Sequence, residues 1–491
     1  MSTALPRSKT SLRGFLSAGH LPTLLTALLY FDFCFMIWVL NAAMAPFIAE
    51  ELHLTGSQKG LMLSIPVFAG ALLRFPLGIL SQYIGRKRAA LVEMSLIVVG
   101  LGIGYLVTDS LGGVIAMGLV LGVAGASFGV ALSLGSGWYP PRYKGLAMGI
   151  AGAGNSGAVL AMLFAPPLAR ALGWRSVYGL AILPMVVAMV LLHLFAREPP
   201  DREQKKLRDY LKVLVDRDAW IFNLMYMVTF GGYIGLTSFL PTLFHEQYGI
   251  PKHAIGGYVA GIIVAASVLR VAGGWMADRV GGIRLLMGVF VVVIASMLAA
   301  ATMPAQPWLM VVLLVVAFSA LGAGNGAVFQ LVPQRFRTST AVAGSLIGEV
   351  GALAGGLLPN AMGAGHQWTG TFAWGFIVVG VLGVASTIAL VLVGRQWTRS
   401  WVGAGGRSKE IDAELDGELD TLGQGQGAPA VDGAGLPAHV VAPGVRAGFA
   451  PAAGVLLAAE GAADLGAAGA EVHVGDAAIG AGGAEEALGR A

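Results

Sequence analysis

The sequence predicts an all-α membrane protein: twelve transmembrane helices in two pseudo-symmetric six-helix halves, followed by a disordered C-terminal tail. Three observations lead there. Hydrophobic residues make up 56% of the chain and charged residues 12%, about half the charge of an ordinary soluble domain. Apolar runs of about 20 residues, long enough to cross a bilayer as helix, recur along most of the chain. The stretch 71–88, ALLRFPLGILSQYIGRKR, returns as 268–284, VLRVAGGWMADRVGGIR. Arg74 then matches Arg270, Gly78 matches Gly274, Gln82 matches Asp278 and Gly85 matches Gly281, each pair 196 residues apart.

Composition also excludes. The net charge of +4 is small and its basic residues sit in short loops, which argues for membrane topology and against nucleic-acid binding. The one cysteine, Cys34, lies inside the first apolar run, so no disulfide framework is expected. That run is too long for the apolar core of a signal peptide and lacks a small-residue cleavage site, so it is expected to stay as a helix.

In chain order, residues 1–21 form a polar cytoplasmic arm carrying Arg7, Lys9 and Arg13. The N-terminal half, 22–196, is expected to hold spans at 22–49, 59–84, 88–108, 111–137, 144–169 and 174–196. A charged cytoplasmic linker occupies 197–218. The C-terminal half, 219–395, repeats the count with spans at 219–244, 254–279, 283–303, 307–333, 339–364 and 370–394. A tail, 396–491, turns Ala- and Gly-rich from about Val402, without helical or strand period, and is expected to be disordered. Arg86, Lys87 and Arg88 after span 2, Arg279 and Arg284 after span 8, and Arg335 and Arg337 after span 10 all fall on the side of the N-terminal arm. The opposite loops carry few basic residues, so the positive-inside rule puts both termini in the cytoplasm of a multi-pass protein in the cytoplasmic membrane.

Arg74 and Arg270 are the residues that most need explaining. An arginine at mid-bilayer costs about 2.5–3.5 kcal/mol on insertion scales and normally faces the bundle interior with an anionic partner. Two readings stand: an ion pair with a buried acid of the chain, or a small anion held between two guanidiniums, one from each half. The rigid guanidinium fork suits a planar oxyanion because it donates two parallel hydrogen bonds.

Other spans supply candidate surroundings. Span 5 (GLAMGIAGAGNSGAVL) and span 11 (GSLIGEVGALAGGLLP) carry glycines at helical spacing that let backbones approach. Asn155 in span 5 either bonds to a neighbouring helix or offers its amide to an oxyanion. Tyr226 and Phe230 are i, i+4 on span 7 and share a face; with Phe35 and Phe128 they are candidate apolar walls, or plain core. Asp32 on span 1 and Glu349 on span 11 are acids at membrane depth, either structural partners or proton carriers. The loop motif Gly78, Gly85, Arg86 and its copy Gly274, Asp278, Gly281 is expected to serve packing and gating. No metal constellation, P-loop or nucleophilic triad appears, so neither a cofactor nor enzymatic activity is expected.

On these motifs the chain resembles the nitrate/nitrite porter family of the major facilitator superfamily over residues 22–395. The resemblance is carried by GALLRFPLG at 70–78, VLRVAGGWMADRVGG at 268–282, and GAGNSG at 152–157, which resembles the family's nitrate signature. GAGNGAVFQLVPQRF at 322–336 and GALAGGLLP at 351–359 match as well. Span 11 departs from the fuller second signature, with Leu353, Ala354 and Gly355 where that signature has its asparagine. The first copy of the loop motif has Gln82 where the superfamily usually has aspartate.

The resemblance implies a secondary active transporter working by alternating access as a functional monomer. Its substrates would be nitrate and nitrite, its substrate arginines Arg74 and Arg270, and its pocket Phe35, Phe128, Asn155, Tyr226 and Phe230. The family holds both nitrate–proton symporters and nitrate/nitrite exchangers; Asp32 and Glu349 favour uptake with protons. A carrier for another small anion and a membrane sensor signalling through the tail remain the rival readings.

Overall fold

In a computed structural model the chain is described over residues 12–200, 212–336 and 340–407. The expected disorder of the tail therefore lies, from Ser408 onward, outside the described residues, as do most of the N-terminal arm and residues 201–211 of the linker. Among the described residues the secondary structure is helical throughout, without strand. Twelve helices are long and apolar enough to cross a membrane. In order they are Leu21–Glu51, Gly56–Ile84, Arg86–Leu106, Leu111–Ser136, Ala147–Leu172 and Trp174–Phe195, then Arg217–Tyr248, Ile255–Val280, Gly282–Ala301, Pro307–Arg335, Val342–Thr369 and Ala373–Ser400, here spans 1 to 12.

Several spans run past their expected ends, two of them for visible reasons. Span 7 starts at Arg217 because the Asp216 side chain caps it, accepting from the Asp218 N–H at 2.8 Å. It ends where Gly249 turns left-handed at φ 65°. Span 12 continues to Ser400 instead of ending at 394. The buried Trp397 ring stacks on Phe222 at 4.9 Å, and its Nε1 donates to Asp218 Oδ1 at 2.9 Å, which holds the last turns against span 7.

Four spans are not continuous α-helices. Span 1 breaks at Val39 and span 4 at Ala126. Span 5 tightens to a 3₁₀ turn at Ala153–Ser156, and span 7 widens to a π turn at Met227–Gly231. Such irregularities free backbone groups or re-aim side chains, and they collect at functional sites.

The two halves are tied together at the end opposite the basic loops. Lys59 of span 2 pairs with Glu246 of span 7 at 2.5 Å, and Lys252 pairs with Glu50. The Ser57 N–H donates to Gln367 Oε1 at 2.9 Å. Spans 2 and 11 approach there without side chains between them, since a Cβ on Gly60 would meet the Pro359 carbonyl.

At the basic end each half closes its second loop differently. The Glu198 carboxylate accepts from the Arg86 N–H at 2.7 Å and the Lys87 N–H at 2.9 Å, capping the start of span 3. In the other half the backbone of Gly405 and Gly406 packs onto Gly281 and Ile283 at the start of span 9. Both contacts need a loop glycine: Gly85 sits at φ 96°, ψ 153° and Gly281 at φ 103°, ψ 132°, a region essentially closed to other residues. Gly85→Ala and Gly281→Ala are each expected to cost about 1–3 kcal/mol, read as a lower thermal midpoint in detergent. Gly149→Ala, with no atom within 4 Å of the added Cβ, should leave the midpoint where it is.

Candidate functional site

Arg74 lies midway along span 2 and is 7% exposed. Its guanidinium is partly satisfied by the chain's own backbone. Nε donates to the Gly125 carbonyl at 3.1 Å and Nη1 to the Gly348 carbonyl of span 11 at 2.5 Å. Gly125 ends the first segment of span 4, so the break at Ala126 leaves its carbonyl available. Nη2 is buried and has no hydrogen-bond partner. A donor of a charged group left in that state is costly, because desolvation is not repaid.

Three aromatic faces surround the same guanidinium: Trp38 at 5.4 Å, Phe128 at 5.5 Å and Phe230 at 5.5 Å from its carbon. Arg270 of span 8, half-buried, sits 5.9 Å from the centre of the Phe128 ring. The two arginines therefore converge on one ring, and their charges act on each other. Tyr226 lies close enough to both arginines for their charges to act on its hydroxyl. Tyr226 and Phe230, on either side of the start of the π turn, stack with ring centres 5.1 Å apart and planes 8° from parallel.

The other candidates fall at varying distance from this centre. Phe35 is fully buried and packs edge-on against Trp38 at 5.2 Å and near Tyr233 at 6.5 Å. Asn155 is buried in the 3₁₀ turn, oriented so that its amide nitrogen donates to Gly152 O and Ala153 O at 3.2 Å each. Both amide hydrogens are engaged by that turn in this state. Glu349, one residue after Gly348, acts electrostatically on Arg74. Asp32 takes another role: its Oδ1 accepts from Ser156 Oγ at 2.7 Å, fastening span 1 to span 5.

The loop residues sit apart from the arginines. Arg86 reaches span 4, donating from Nη1 to Ser133 O at 3.2 Å. Asp278 lies near Gln330 of span 10. Gly78 has nothing within 4 Å of where a Cβ would stand, whereas in the second copy close approach falls on Gly273, against Ala323, rather than on Gly274.

Sequence reasoning missed several members of the site. Trp38, one turn after Phe35, covers Arg74. Tyr233, buried beside Phe230, aims its hydroxyl at Asn155 O at 3.5 Å and joins the two halves. Phe329 meets Tyr226 at 5.2 Å and Phe128 at 6.2 Å. The i+3 spacing from Phe35 and Phe230 was the available signal for Trp38 and Tyr233. Outside the site, sequence reasoning also passed over Glu93, an acid of span 3 that is 1% exposed.

Residues 26–359 match the family model of the Major Facilitator Superfamily. A nitrite extrusion protein of Bacillus subtilis is 32% identical over 362 residues, covering 73% of this chain and 90% of that protein. A probable nitrate transporter of Staphylococcus carnosus is 31% identical, covering 72% and 92%. A probable nitrate/nitrite antiporter of Thermus thermophilus is 27% identical, covering 73% and 88%. Among solved structures, a bacterial homologue of the lysosomal transporter Spinster in an inward-facing, occupied conformation superposes with a TM-score of 0.59 at 18% identity, over 78% of this chain and 98% of that one. The twelve spans, the paired arginines and these relatives agree: the chain belongs to the nitrate/nitrite porter family of the major facilitator superfamily.

Proposed function

We propose that the protein is a secondary active transporter that carries nitrate, and nitrite with it, across the cytoplasmic membrane by alternating access, with both termini in the cytoplasm. The single observation that carries this reading is the convergence of Arg74 and Arg270 on the Phe128 ring, with Arg74 Nη2 buried and unpartnered. A planar, singly charged oxyanion between the two forks supplies the missing acceptor and neutralises two like charges at once. Phe35, Phe128, Tyr226 and Phe230 would be its walls, which suits an anion that sheds its water readily. Asn155 would orient it once its amide turns away from Gly152 and Ala153.

The ties at Lys59–Glu246 and Lys252–Glu50 would form the outward gate in its closed state. Binding relieves the repulsion between the guanidiniums and so favours closure of the halves around the anion. Arg74 Nη1, already on the Gly348 carbonyl, marks the path of that closure from span 2 to span 11.

For coupling, Glu349 is the favoured proton carrier because its carboxylate compensates Arg74 in the empty site. When nitrate brings its own charge, the carboxylate is surplus and takes up a proton, giving uptake with protons. Exchange of nitrate for nitrite is the second reading, supported by the Thermus relative named as an antiporter. A sensor reading would rest on the tail, which lies outside the described residues.

Uptake by the purified protein in proteoliposomes tests the clamp. Arg74→Ala and Arg270→Ala should abolish nitrate transport; activity at the unsubstituted level would reject it. Arg→Lys at either position should lower transport by roughly 10- to 100-fold, the loss of one charge-assisted hydrogen bond. Excess nitrate, but not formate or acetate, should compete with labelled nitrite. Nitrate entry should alkalinise the external medium and acidify the lumen, and Glu349→Gln should uncouple the two. Transport that requires nitrite inside and ignores a pH gradient would favour the exchanger.

A further inference from the structure

Glu93 is a carboxyl of span 3 with 1% of its surface exposed, and the anion site does not use it. Its Oε2 accepts from the hydroxyl of Tyr30 on span 1, itself fully buried. Its Oε1 has no hydrogen-bond partner. One turn further along span 1, the buried thiol of Cys34 lies within electrostatic range of Glu93.

The remaining titratable groups on the packed spans are engaged or turned away. On span 2, Lys59 is paired with Glu246, Arg74 is held by Gly125 and Gly348, and Tyr83 is exposed. On span 6, Arg175 bonds Thr108 O and Glu51, Tyr178 bonds Asn41, and His193 is exposed. On span 1 itself, Asp32 bonds Ser156, Glu50 pairs with Lys252 and Glu51 with Arg175. On span 3, Arg86 donates to Ser133 O, Lys87 donates to His193 O and Ala196 O, and Arg88 and Tyr105 are exposed. Span 4 carries no titratable side chain. Tyr30 and Cys34 are thus the titratable groups facing Glu93, and neither is a cation.

A carboxylate in that place would be a buried charge without a counter-ion, which proteins rarely tolerate; a proton is the ligand that removes the cost. The place is also wired to the anion site. Tyr30 and Cys34 are i and i+4 and share the face of span 1 turned to Glu93. Phe31 and Phe35, one residue on from each, lie on the adjoining face: Phe31 meets Phe35 at 5.7 Å and Phe128 at 5.5 Å, and Phe128 lies over both arginines. Ser127 of span 4, which lies near Cys34, immediately precedes Phe128. Ionising Glu93 requires water or a cation to reach it, hence a parting of spans 1 and 3, which moves the aromatic wall of the site.

We propose that Glu93, with Tyr30 and Cys34, is a proton-binding site behind span 1 whose occupancy is linked to anion binding at Arg74 and Arg270. The proposal rests on the anion-transport reading and adds a coupling group distinct from Asp32 and Glu349. By reciprocity, anion binding then changes proton affinity at Glu93 as much as the proton changes anion affinity.

The test uses the full chain in proteoliposomes, comparing wild type with Glu93→Gln, whose amide oxygen can still accept from Tyr30. Nitrate/nitrite counterflow at equal pH should persist, while accumulation driven by a pH gradient should fall by about tenfold or more, within the usual range of coupling between sites. Gradient-driven uptake by Glu93→Gln equal to wild type overturns the proposal and leaves the transport reading standing. Absence of counterflow in the wild type overturns the transport reading, and this proposal with it. Should Glu93→Gln not assemble, the wild type and Tyr30→Phe answer by infrared difference spectroscopy in lipid. Nitrate should then perturb the C=O stretch of a buried protonated carboxyl, and Tyr30→Phe should shift that band. A difference spectrum with no such band, or one that Tyr30→Phe leaves in place, overturns the assignment.

Discussion

Two guanidinium groups near the middle of a bilayer set the terms for the rest of this structure. Each must be paid for locally, since the surrounding hydrocarbon offers neither water nor counter-ions. Arg74 is held by two backbone carbonyls and three aromatic faces. Carbonyls and ring faces offset part of the charge without cancelling it. The site therefore keeps an unspent demand for negative charge, expressed in the bare Nη2 of Arg74. A carboxylate placed directly on both arginines would have met that demand permanently; Glu349 acts on Arg74 and leaves Arg74 Nη2 unpaired.

The irregular helices follow from the same constraint. A continuous span 4 would commit the Gly125 carbonyl to its own ladder, whereas the break at Ala126 offers it to Arg74. Tyr226 and Phe230 stack across the π turn at 227–231, their rings parallel beside the arginines. The 3₁₀ turn in span 5 holds Asn155 between the halves while its glycines let span 1 pass close by, with Gly157 against the Asp32 carbonyl. Asp32 adds a bond to Ser156 at the same crossing.

The two halves share a plan and differ in detail. Arg74 is buried and reaches across to span 11, while Arg270 is half-buried and acts on Tyr226 within its own half. Glu198 caps span 3, while the backbone after span 12 does the corresponding job for span 9. An internal duplication of topology thus supports unequal chemistry: most of the polar tethers described sit on the N-terminal side, including the Tyr30–Glu93 pair behind span 1.

Hydrophobic period and length alone determined the number of spans and nearly all their limits, because the bilayer imposes a length on each helix that few other environments impose. The matched arginines were equally legible, since a charge inside an apolar run stands out without any coordinates. The partners were not. Trp38, Tyr233 and Phe329 are ordinary residues in apolar runs, and what distinguishes them is which face they present after helices from both halves cross. Asp32 and Glu349 looked equivalent in the sequence, both acids at membrane depth; only packing sent one to Ser156 and the other towards Arg74. Glu93 went unnoticed because it follows the basic loop by one and a half turns of helix and reads as a residue near the membrane surface. Burial is a property of neighbours, and neighbours far apart in the chain are what tertiary structure alone decides.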